Sequence, residues 1–203
     1  MQENAFFALL FRMKYIDRWG LMRSAIPENL SEHALETALI AHALATLANT
    51  YYGENVPAES IASAALFHDV SEILTGDLPT PVKYHDPALR KAYHQMESGA
   101  KNSLLETLPK ELRAVYQKEL FCEDQRPELY RYIKAADKIS AYLKCVEERK
   151  SGNTEFESAA QQLKAAILAL ELPAADHFMR VFVPAFSLTL DQQQNGAFEE
   201  MKA

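Results

Sequence analysis

Cysteine and glycine are scarce in this 203-residue sequence. The two cysteines, Cys122 and Cys145, form neither a CxxC pair nor a disulfide framework, which favours a reducing compartment. Six glycines against nine prolines leave little room for flexible linkers. Because the length suits one well-packed core, we expect a single cytoplasmic domain over residues 1–203, with a frayed tail over about 191–203.

Long hydrophobic runs and basic blocks are also missing. The apolar stretch from Phe6 to Phe11 is flanked by Glu3 and Arg12, and it is too short for a signal peptide or a membrane span. The formal net charge is -7, and no basic block offsets it. This balance argues against a surface that follows a nucleic-acid backbone or an anionic membrane. We therefore expect neither nucleic acid nor membrane as a partner.

Apolar residues recur at helical spacing, and no stretch shows sustained alternation, so the pattern predicts an all-α fold. A first helix is predicted over residues 4–19, with Gly20 as its stop, so that Arg18 and Trp19 lie at its end. Asn29 and Glu32 match a capping box that begins a second helix. The buried stripe of that helix is predicted at Leu35, Leu39, Ala43 and Leu47.

Proline and glycine place the remaining helices. Pro57 opens a third helix, which carries residues 67–72 and ends at Gly76. Two prolines make residues 77–81 a stiff, non-helical loop. Later helices are predicted over residues 86–107, 109–120 and 128–150, from a capping box of Thr154 and Glu157, and after Pro173.

The segment Phe67-His68-Asp69-Val70-Ser71-Glu72 follows a small, apolar run that begins at Ile61. An ionised carboxylate among apolar side chains needs a partner, because burying it unpaired costs several kcal/mol or forces it to take up a proton. A bound cation would remove this difficulty. Helical spacing places Glu72 over the same patch as His68 and Asp69.

Two further polar residues lie on predicted helices. His33 lies in the first turns of the second helix, and Asp137 lies on or near the packing face of the long helix, in line with Ser140 and Lys144. Taken singly, such residues are more often an ordinary core histidine or a solvated aspartate. In chain order the four polar residues are His33, His68, Asp69 and Asp137.

This order resembles the H…HD…D signature of the HD-domain phosphohydrolases. The triplet Asp17-Arg18-Trp19, Glu72 and the loop Leu74-Thr75-Gly76-Asp77-Leu78-Pro79-Thr80-Pro81 are similar to those of the bacterial 5′-deoxynucleotidases in this family. The resemblance covers nearly the whole chain. It implies an HD-domain helical bundle with a metal site in its core.

The resemblance also implies one divalent ion, with cobalt or manganese as the usual activator. Its ligands would be His33, His68, Asp69 and Asp137. Two imidazoles and two carboxylates suit an octahedral first-row ion, with two positions left for water and a phosphate oxygen. Because the two carboxylates already balance the ion's charge, the phosphate needs another cation, and the resemblance assigns that role to Arg18.

The implied reaction is hydrolysis of 2′-deoxynucleoside 5′-monophosphates to deoxynucleoside and inorganic phosphate by a homodimer. Glu72 is the candidate proton-transfer group, either as a base toward water or as an acid toward the leaving 5′-oxygen. Trp19 would pack against the sugar. The residues implied to bind the substrate are Arg18, Trp19, His33, Asp69 and Asp137, together with Asp77, Leu78, Pro79 and Thr80 of the loop.

Three alternatives remain. An HD hydrolase of a nucleoside triphosphate or an alarmone would need more cations than Arg18 and Lys83. A non-catalytic nucleotide-binding HD module would be marked by loss of a metal ligand or of Glu72, and none is missing. A carboxylate-bridged di-iron bundle would require paired Glu-x-x-His motifs, which the sequence lacks.

Overall fold

A computed structural model describes residues 4–83 and 86–198 of the chain. Over those residues the protein is helical and contains no β-strand beyond an isolated bridge between Asp17 and Asn29, which confirms the all-α prediction. Two 3₁₀ segments cover Phe11–Tyr15 and Val183–Ser187. The α-helices are α1 Phe6–Leu10, α2 Leu30–Tyr51, α3 Ala58–Ala65, α4 Glu72–Thr75, α5 Thr80–Lys83, α6 Pro87–Glu106, α7 Lys110–Leu120, α8 Cys122–Gln125, α9 Pro127–Lys150, α10 Glu157–Leu168, α11 Pro173–Val181 and α12 Leu190–Phe198.

The main core forms where α2 packs against α3 and α9, and α10 and α11 close its other side. The packing face of α2 is rich in alanine, and small side chains allow neighbouring helices to approach closely. Large apolar groups from α9 fill the space between them, among them Tyr132, Ile133 and Ile139, which are fully buried. Within residues 4–83 and 86–198, no helix is long and apolar enough to cross a bilayer.

The predicted leucine stripe of α2 is wrong. Leu35 and Leu39 are 55% and 64% exposed, and Ala43 is half-buried, whereas Leu47 is buried as predicted. The buried face is formed instead by Ala34, Ala38, Ile40, Ala41, Leu44, Ala45 and Ala48, together with His33 and Thr37. Close packing of the helices selects the alanine face, so side-chain size rather than hydrophobicity decides which side is buried.

Capping signals locate several helix ends correctly. Asn29 accepts hydrogen bonds from the first turn of α2, and Glu32 closes the capping box. Asp86 caps α6 as predicted, accepting from the Leu89 N–H at 2.8 Å. The capping box predicted at Thr154 and Glu157 is wrong: α10 begins after Phe156, whose buried ring rather than a polar cap holds this end.

The first predicted helix ends earlier than expected. Its α-helical part stops at Leu10, a 3₁₀ segment follows to Tyr15, and Ile16 is extended. The Ile16 carbonyl accepts the Leu30 N–H at 2.9 Å, so pairing with the segment before α2 replaces the last helical turns. Arg18 and Trp19 therefore lie in a loop over residues 17–28.

The third predicted helix is broken in the middle. After α3 ends at Ala65, residues 66–71 form consecutive turns, with Phe67 donating to the Ala64 carbonyl and His68 to the Ala65 carbonyl. Gly76 ends α4 with φ 75°, as predicted. The loop prediction for residues 77–81 holds only for its first part, because Thr80 begins the short helix α5.

A buried carboxylate on α9 anchors the loop over residues 17–28. Glu148 is fully buried and accepts hydrogen bonds from the Ala25 N–H at 2.7 Å and the Ile26 N–H at 3.1 Å. It also pairs with buried Lys144, which donates to the Ile26 carbonyl. Burial alone would raise the pKa of Glu148, but these hydrogen bonds hold its pKa at about 2.

We expect Glu148→Gln to lower the free energy of unfolding by about 3 to 5 kcal/mol near neutral pH, because it leaves the Lys144 ammonium buried without a counter-charge. A carboxyl whose pKa is lowered on folding stabilises the protein above its unfolded pKa and loses that contribution as pH falls. The difference between wild type and variant should therefore shrink between pH 5 and pH 2 in urea titrations.

Glu155→Gln is the matched control. Glu155 also binds this loop, through Arg23 at 3.0 Å, but the Arg23 side chain is 95% exposed. Its loss should change stability by less than about 1 kcal/mol. A Glu148→Gln deficit that is no larger than the control, or that stays constant with pH, would contradict the assigned role.

Candidate active site

The structure brings the four predicted metal ligands together. His33 comes from the second turn of α2, His68 and Asp69 from the turns after α3, and Asp137 from the middle of α9. One ligand atom from each of the four residues lies within 4.8 Å of the others. Three separate parts of the core thus converge on one point.

His33 is fully buried, and its two ring nitrogens face different groups. Nδ1 lies 3.2 Å from the Ser140 hydroxyl, while Nε2 lies 3.2 Å from Asp137 Oδ1 and 3.6 Å from Asp69 Oδ2. Burial alone would lower the pKa of His33, but Asp137 and Glu28 raise it. A ring held through Nδ1 presents Nε2 to the carboxylates, as a metal-binding histidine does.

His68 shows the same division of its nitrogens. Its Nδ1 donates to the Ala65 carbonyl at 2.7 Å, a bond made available by the turn that interrupts the helix. Its Nε2 is buried, lies 3.0 Å from Asp69 Oδ2, and has no hydrogen-bond partner among the described residues. Buried polar atoms are rarely left in this state, and a cation bound by Nε2 would satisfy it.

The two carboxylates of the cluster are ionised. Burial works to raise the pKa of Asp69, but the neighbouring charges of His68, His33 and Arg18 hold it well below its usual range. The pKa of Asp137 is likewise lowered, because its hydrogen bond and charge interaction with His33 outweigh burial. Two imidazoles and two carboxylates therefore form a donor set that fits one first-row divalent ion.

Arg18 lies directly beside this donor set. Its Nη1 is 3.6 Å from Asp69 Oδ2, its Nε is 3.5 Å from Glu28 Oε1, and its side chain is only 11% exposed. Although burial opposes it, the charges of Asp69 and Glu28 raise the pKa of Arg18. The site thus holds a fixed guanidinium next to the predicted ligands.

Glu72 is buried at 5% exposure, and its Oε2 has no hydrogen-bond partner within the described part of the chain. Burial, together with the negative charges of Asp69 and Asp77, raises the pKa of Glu72 to about 10. In the absence of other cations the carboxyl is therefore protonated at neutral pH. A protonated carboxyl can donate a proton, which a solvated glutamate cannot do at this pH.

Of the loop residues predicted to bind the nucleoside, Asp77 is connected to the site by the interactions of the described residues. Asp77 is half-buried and within range of the Arg18 and Asp69 charges; burial raises its pKa. Leu78 and Pro79 follow it and are also half-buried, and no contact places them against the ligand cluster. The side chain of Thr80 lies outside the part that is described.

Trp19 is held in an unusual backbone conformation. Its φ is 62°, which is uncommon for a residue other than glycine. Its indole Nε1 donates to Glu28 Oε2 at 2.5 Å, and its ring packs edge-on against Phe156 with centroids 5.2 Å apart. Glu28 was not singled out in the sequence, where it is simply an acidic residue before a capping asparagine.

A cleft of about 680 Å³ opens over His68 and Asp69. Lys83 lies in it but is paired with Glu97 at 2.7 Å. Helix α6 also places three cations along the cleft, none of which was predicted to belong to the site: Arg90, Lys91 and Lys101. The spacing of residues 90, 94, 97 and 101 along one helical face is the signal that would have revealed this lining.

Residues 5–186 match the family model described as 5′-deoxynucleotidase YfbR-like. A 5′-deoxynucleotidase of Vibrio vulnificus (strain YJ016) is 45% identical over 192 residues, covering 95% of this chain and 99% of that protein. A 5′-deoxynucleotidase of Yersinia pestis (strain Pestoides F) is 46% identical over 191 residues, covering 92% of this chain and 95% of that protein.

Solved structures show the same fold. An HD-domain phosphohydrolase from Listeria innocua superposes with a TM-score of 0.78 at 21% identity, covering 98% of each chain. A cyanophage S-2L HD phosphohydrolase, solved with dA and one catalytic Zn²⁺ ion, gives a TM-score of 0.64 at 20% identity, covering 90% of this chain and 96% of that chain. The predicted HD-domain helical fold is confirmed.

The donor set predicts metal-dependent stability. A divalent ion that binds the folded state alone, supplied at about 100 times its Kd, stabilises it by about 2.7 kcal/mol. We expect Mn²⁺ to raise the melting temperature of chelator-treated protein by about 5 to 10 °C. Asp137→Asn and His68→Ala should remove this shift.

His42→Ala is the matched control, because His42 lies on α2 with His33 but is exposed. It should retain the full metal-induced shift in differential scanning fluorimetry. Melting curves of the wild type that do not move at any concentration of Mn²⁺, Co²⁺ or Zn²⁺ would count against the metal site.

Proposed function

The chain belongs to the YfbR-like 5′-deoxynucleotidase family, and we propose that it hydrolyses 2′-deoxynucleoside 5′-monophosphates to the deoxynucleoside and inorganic phosphate. The family predicted from the H…HD…D order together with the Asp17-Arg18-Trp19 triplet, Glu72 and the loop over residues 74–81 is confirmed. The chain is thus an enzyme, a hydrolase of phosphate monoesters. The Vibrio vulnificus relative, which covers 95% of this chain, is named a 5′-deoxynucleotidase.

One observation carries the proposal: a single buried guanidinium stands beside the four-residue donor set. Arg18 Nη1 lies 3.6 Å from Asp69 Oδ2. A planar guanidinium pairs with phosphate through parallel hydrogen bonds, so it can hold one phosphoryl group against the ligand cluster. Because the two carboxylates balance the charge of a divalent ion, the guanidinium is the group that would offset the negative charge of a monophosphate.

We assign the metal to His33, His68, Asp69 and Asp137. Manganese or cobalt is the proposed ion, because mixed nitrogen and oxygen ligands suit both. The cyanophage protein with a catalytic zinc ion adds Zn²⁺ to the metals worth testing. When bound, a divalent ion supplies Lewis acidity toward water and the phosphoryl group.

The chain's own residues bind the phosphate and move the proton. Arg18 holds the phosphoryl oxygens while water adds to phosphorus and the bond to the 5′-oxygen breaks. Glu72 donates its proton to that oxygen, so the deoxynucleoside leaves as a neutral alcohol. The raised pKa of Glu72 supports the role of acid, which the sequence left open against that of base.

The sugar and base are bound on the Trp19 side of the site. We propose that the indole of Trp19 forms a wall against the 2′-carbon and that Asp77, Leu78, Pro79 and Thr80 contact the nucleoside. The half-buried position of Trp19 beside Arg18 supports this assignment. An indole held by a hydrogen bond and a ring contact leaves little room for a 2′-hydroxyl.

The cations along α6 favour a second candidate, hydrolysis of a nucleotide with additional phosphates. Arg90, Lys91 and Lys101 line the cleft that opens over His68 and Asp69. Further phosphates placed there would meet positive charge. A substrate panel separates this candidate from the first.

We further propose a cytoplasmic, single-domain enzyme that acts as a homodimer and binds no nucleic acid. Two free, buried cysteines and the charge of -7 support the compartment and the lack of a nucleic-acid partner. An apolar groove of about 290 Å³, lined in part by exposed Leu39 and Phe186, supports self-association. Sedimentation equilibrium measures this directly, and a monomer at micromolar concentration would refute it.

The function is tested by phosphate release from deoxy- and ribonucleoside mono-, di- and triphosphates in the presence of Mn²⁺ or Co²⁺. We expect deoxynucleoside monophosphates to be preferred over ribonucleoside monophosphates by roughly 10- to 200-fold, the range reached by packing alone. Little selectivity among bases is expected. Faster turnover of triphosphates would favour the second candidate.

In the same assay, two variants test which residues recognise the sugar and the phosphate. Trp19→Ala should narrow the preference by admitting ribonucleotides, because the wall beside the 2′-carbon is removed. Arg18→Ala should lower kcat/KM for both sugars alike, because the phosphate is common to them. A Trp19→Ala protein with its discrimination intact would show that the sugar is read elsewhere.

Glu72→Gln tests proton transfer separately from binding. The amide keeps the size of the side chain but cannot supply the proton, so turnover should fall by roughly 100-fold or more. The metal-induced shift in melting temperature should remain, since the ligands are unchanged. Glu123→Gln, an exposed carboxylate in the same cleft, is the control; near-normal turnover of Glu72→Gln would exclude the assigned role.

A further inference from the structure

Glu28 is a buried carboxylate that contacts three functional groups at once. It lies between Pro27 and α2 at 8% exposure. Its Oε2 accepts the Trp19 indole N–H at 2.5 Å, and its Oε1 lies 3.5 Å from Arg18 Nε. The same Oε1 lies 3.5 Å from His33 Nδ1. Because Glu28 is this deeply buried and both of its carboxylate oxygens face these groups, it can act through these neighbours.

The backbone of Glu28 also holds Arg18 in place. The Arg18 N–H donates to the Glu28 carbonyl at 3.0 Å, next to the bridge between Asp17 and Asn29. Main chain and side chain of one residue therefore hold Arg18. Because Glu28 directly precedes the capping box of α2, the arginine is tied to the helix that carries His33.

Trp19 needs the support of Glu28 because its backbone conformation is unfavourable. With φ at 62°, its backbone lies in the left-handed region, which a bulky side chain adopts only when its surroundings require it. Among the described residues, two contacts hold the indole: the hydrogen bond to Glu28 and the edge contact with Phe156. Of these two contacts, the one with Glu28 involves a charged group.

We propose that Glu28 is a positioning residue. Its carboxylate fixes the side chains of Arg18 and Trp19 relative to each other, and it also orients His33 Nδ1. Resting on the proposed function, this assigns to Glu28 the spacing between the phosphate-binding guanidinium and the wall that faces the sugar. With the 5′-phosphate held by Arg18, this fixed spacing brings the 2′-carbon against the indole of Trp19. Sugar discrimination follows because the indole then leaves little room for a 2′-hydroxyl.

The kinetic test compares Glu28→Gln with wild type on one deoxynucleoside and one ribonucleoside monophosphate. The amide can still accept from the Trp19 indole but loses the charge that attracts Arg18. We expect kcat/KM for the deoxynucleotide to fall about 10- to 100-fold, the usual effect of losing an orienting partner in a metal site. The loss should appear largely in KM, and the deoxy-to-ribo ratio should narrow.

These readouts separate positioning from stability. A residue needed only for folding would reduce the amount of active enzyme, which lowers apparent kcat but leaves KM and the sugar ratio unchanged. Glu155→Gln, which removes a carboxylate that binds Arg23 in the middle of the same loop, should behave as wild type. Wild-type KM and sugar ratio in Glu28→Gln would overturn the inference.

A spectroscopic test needs neither substrate nor metal. Trp19 is the sole tryptophan of the chain, so its fluorescence reports on this contact alone. Glu28→Ala removes the acceptor, and we expect a changed emission spectrum and stronger acrylamide quenching than in wild type. Glu28→Gln should change less, because an acceptor remains. If Glu28→Ala fails to fold, Glu28→Gln with its intermediate quenching still decides the question.

The two tests keep the failure of this inference apart from the failure of the proposed function. A wild-type protein that releases no phosphate from any deoxynucleotide would refute the function, while the fluorescence of the Glu28 variants would still show whether the carboxylate holds Trp19. Active wild type with unchanged quenching in both variants would refute the inference and leave the function intact.

Discussion

The attraction between two half-buried carboxylates and the histidines and arginine around them is the interaction on which the site depends. Asp69 and Asp137 lie at a core built largely of alanine, leucine and isoleucine, where an unpaired charge would cost several kcal/mol. His33, His68 and Arg18 converge on these carboxylates from different parts of the chain. A divalent ion bound at this cluster would neutralise the two carboxylates.

Charged groups, rather than apolar packing alone, attach the substrate-facing loop to this core. The loop over residues 17–28 is held by Glu148 of α9 near its middle and by Glu28 at its end. Both carboxylates accept hydrogen bonds from the loop, so its position depends on the helices that also supply His33 and Asp137. Arg18, His33 and Asp137 are therefore positioned by the same pair of helices.

The break in the predicted third helix shows how local structure serves the site. A continuous helix would engage the Ala65 carbonyl in the usual bond to the residue four positions on. In the turns over residues 66–71 that carbonyl instead accepts both the backbone N–H and Nδ1 of His68, and the second bond orients Nε2 toward Asp69. Sequence periodicity favoured a helix here, but residues 66–71 form turns, and His68 and Asp69 in these turns contact the ligand cluster.

Sequence alone determined what depends on near neighbours and on residue type: the all-α class, the caps at Asn29 and Asp86, and the long helix carrying Asp137. The four ligand residues were predicted through the family resemblance, and their convergence on one point is seen in the tertiary structure. Tertiary structure decided what depends on distant partners. The Ile16 to Leu30 pairing ended the first helix early, and close packing buried the alanine face of α2 instead of its leucines. Glu28 became part of the site because folding places it beside Arg18, Trp19 and His33, and no local pattern encodes those long-range distances.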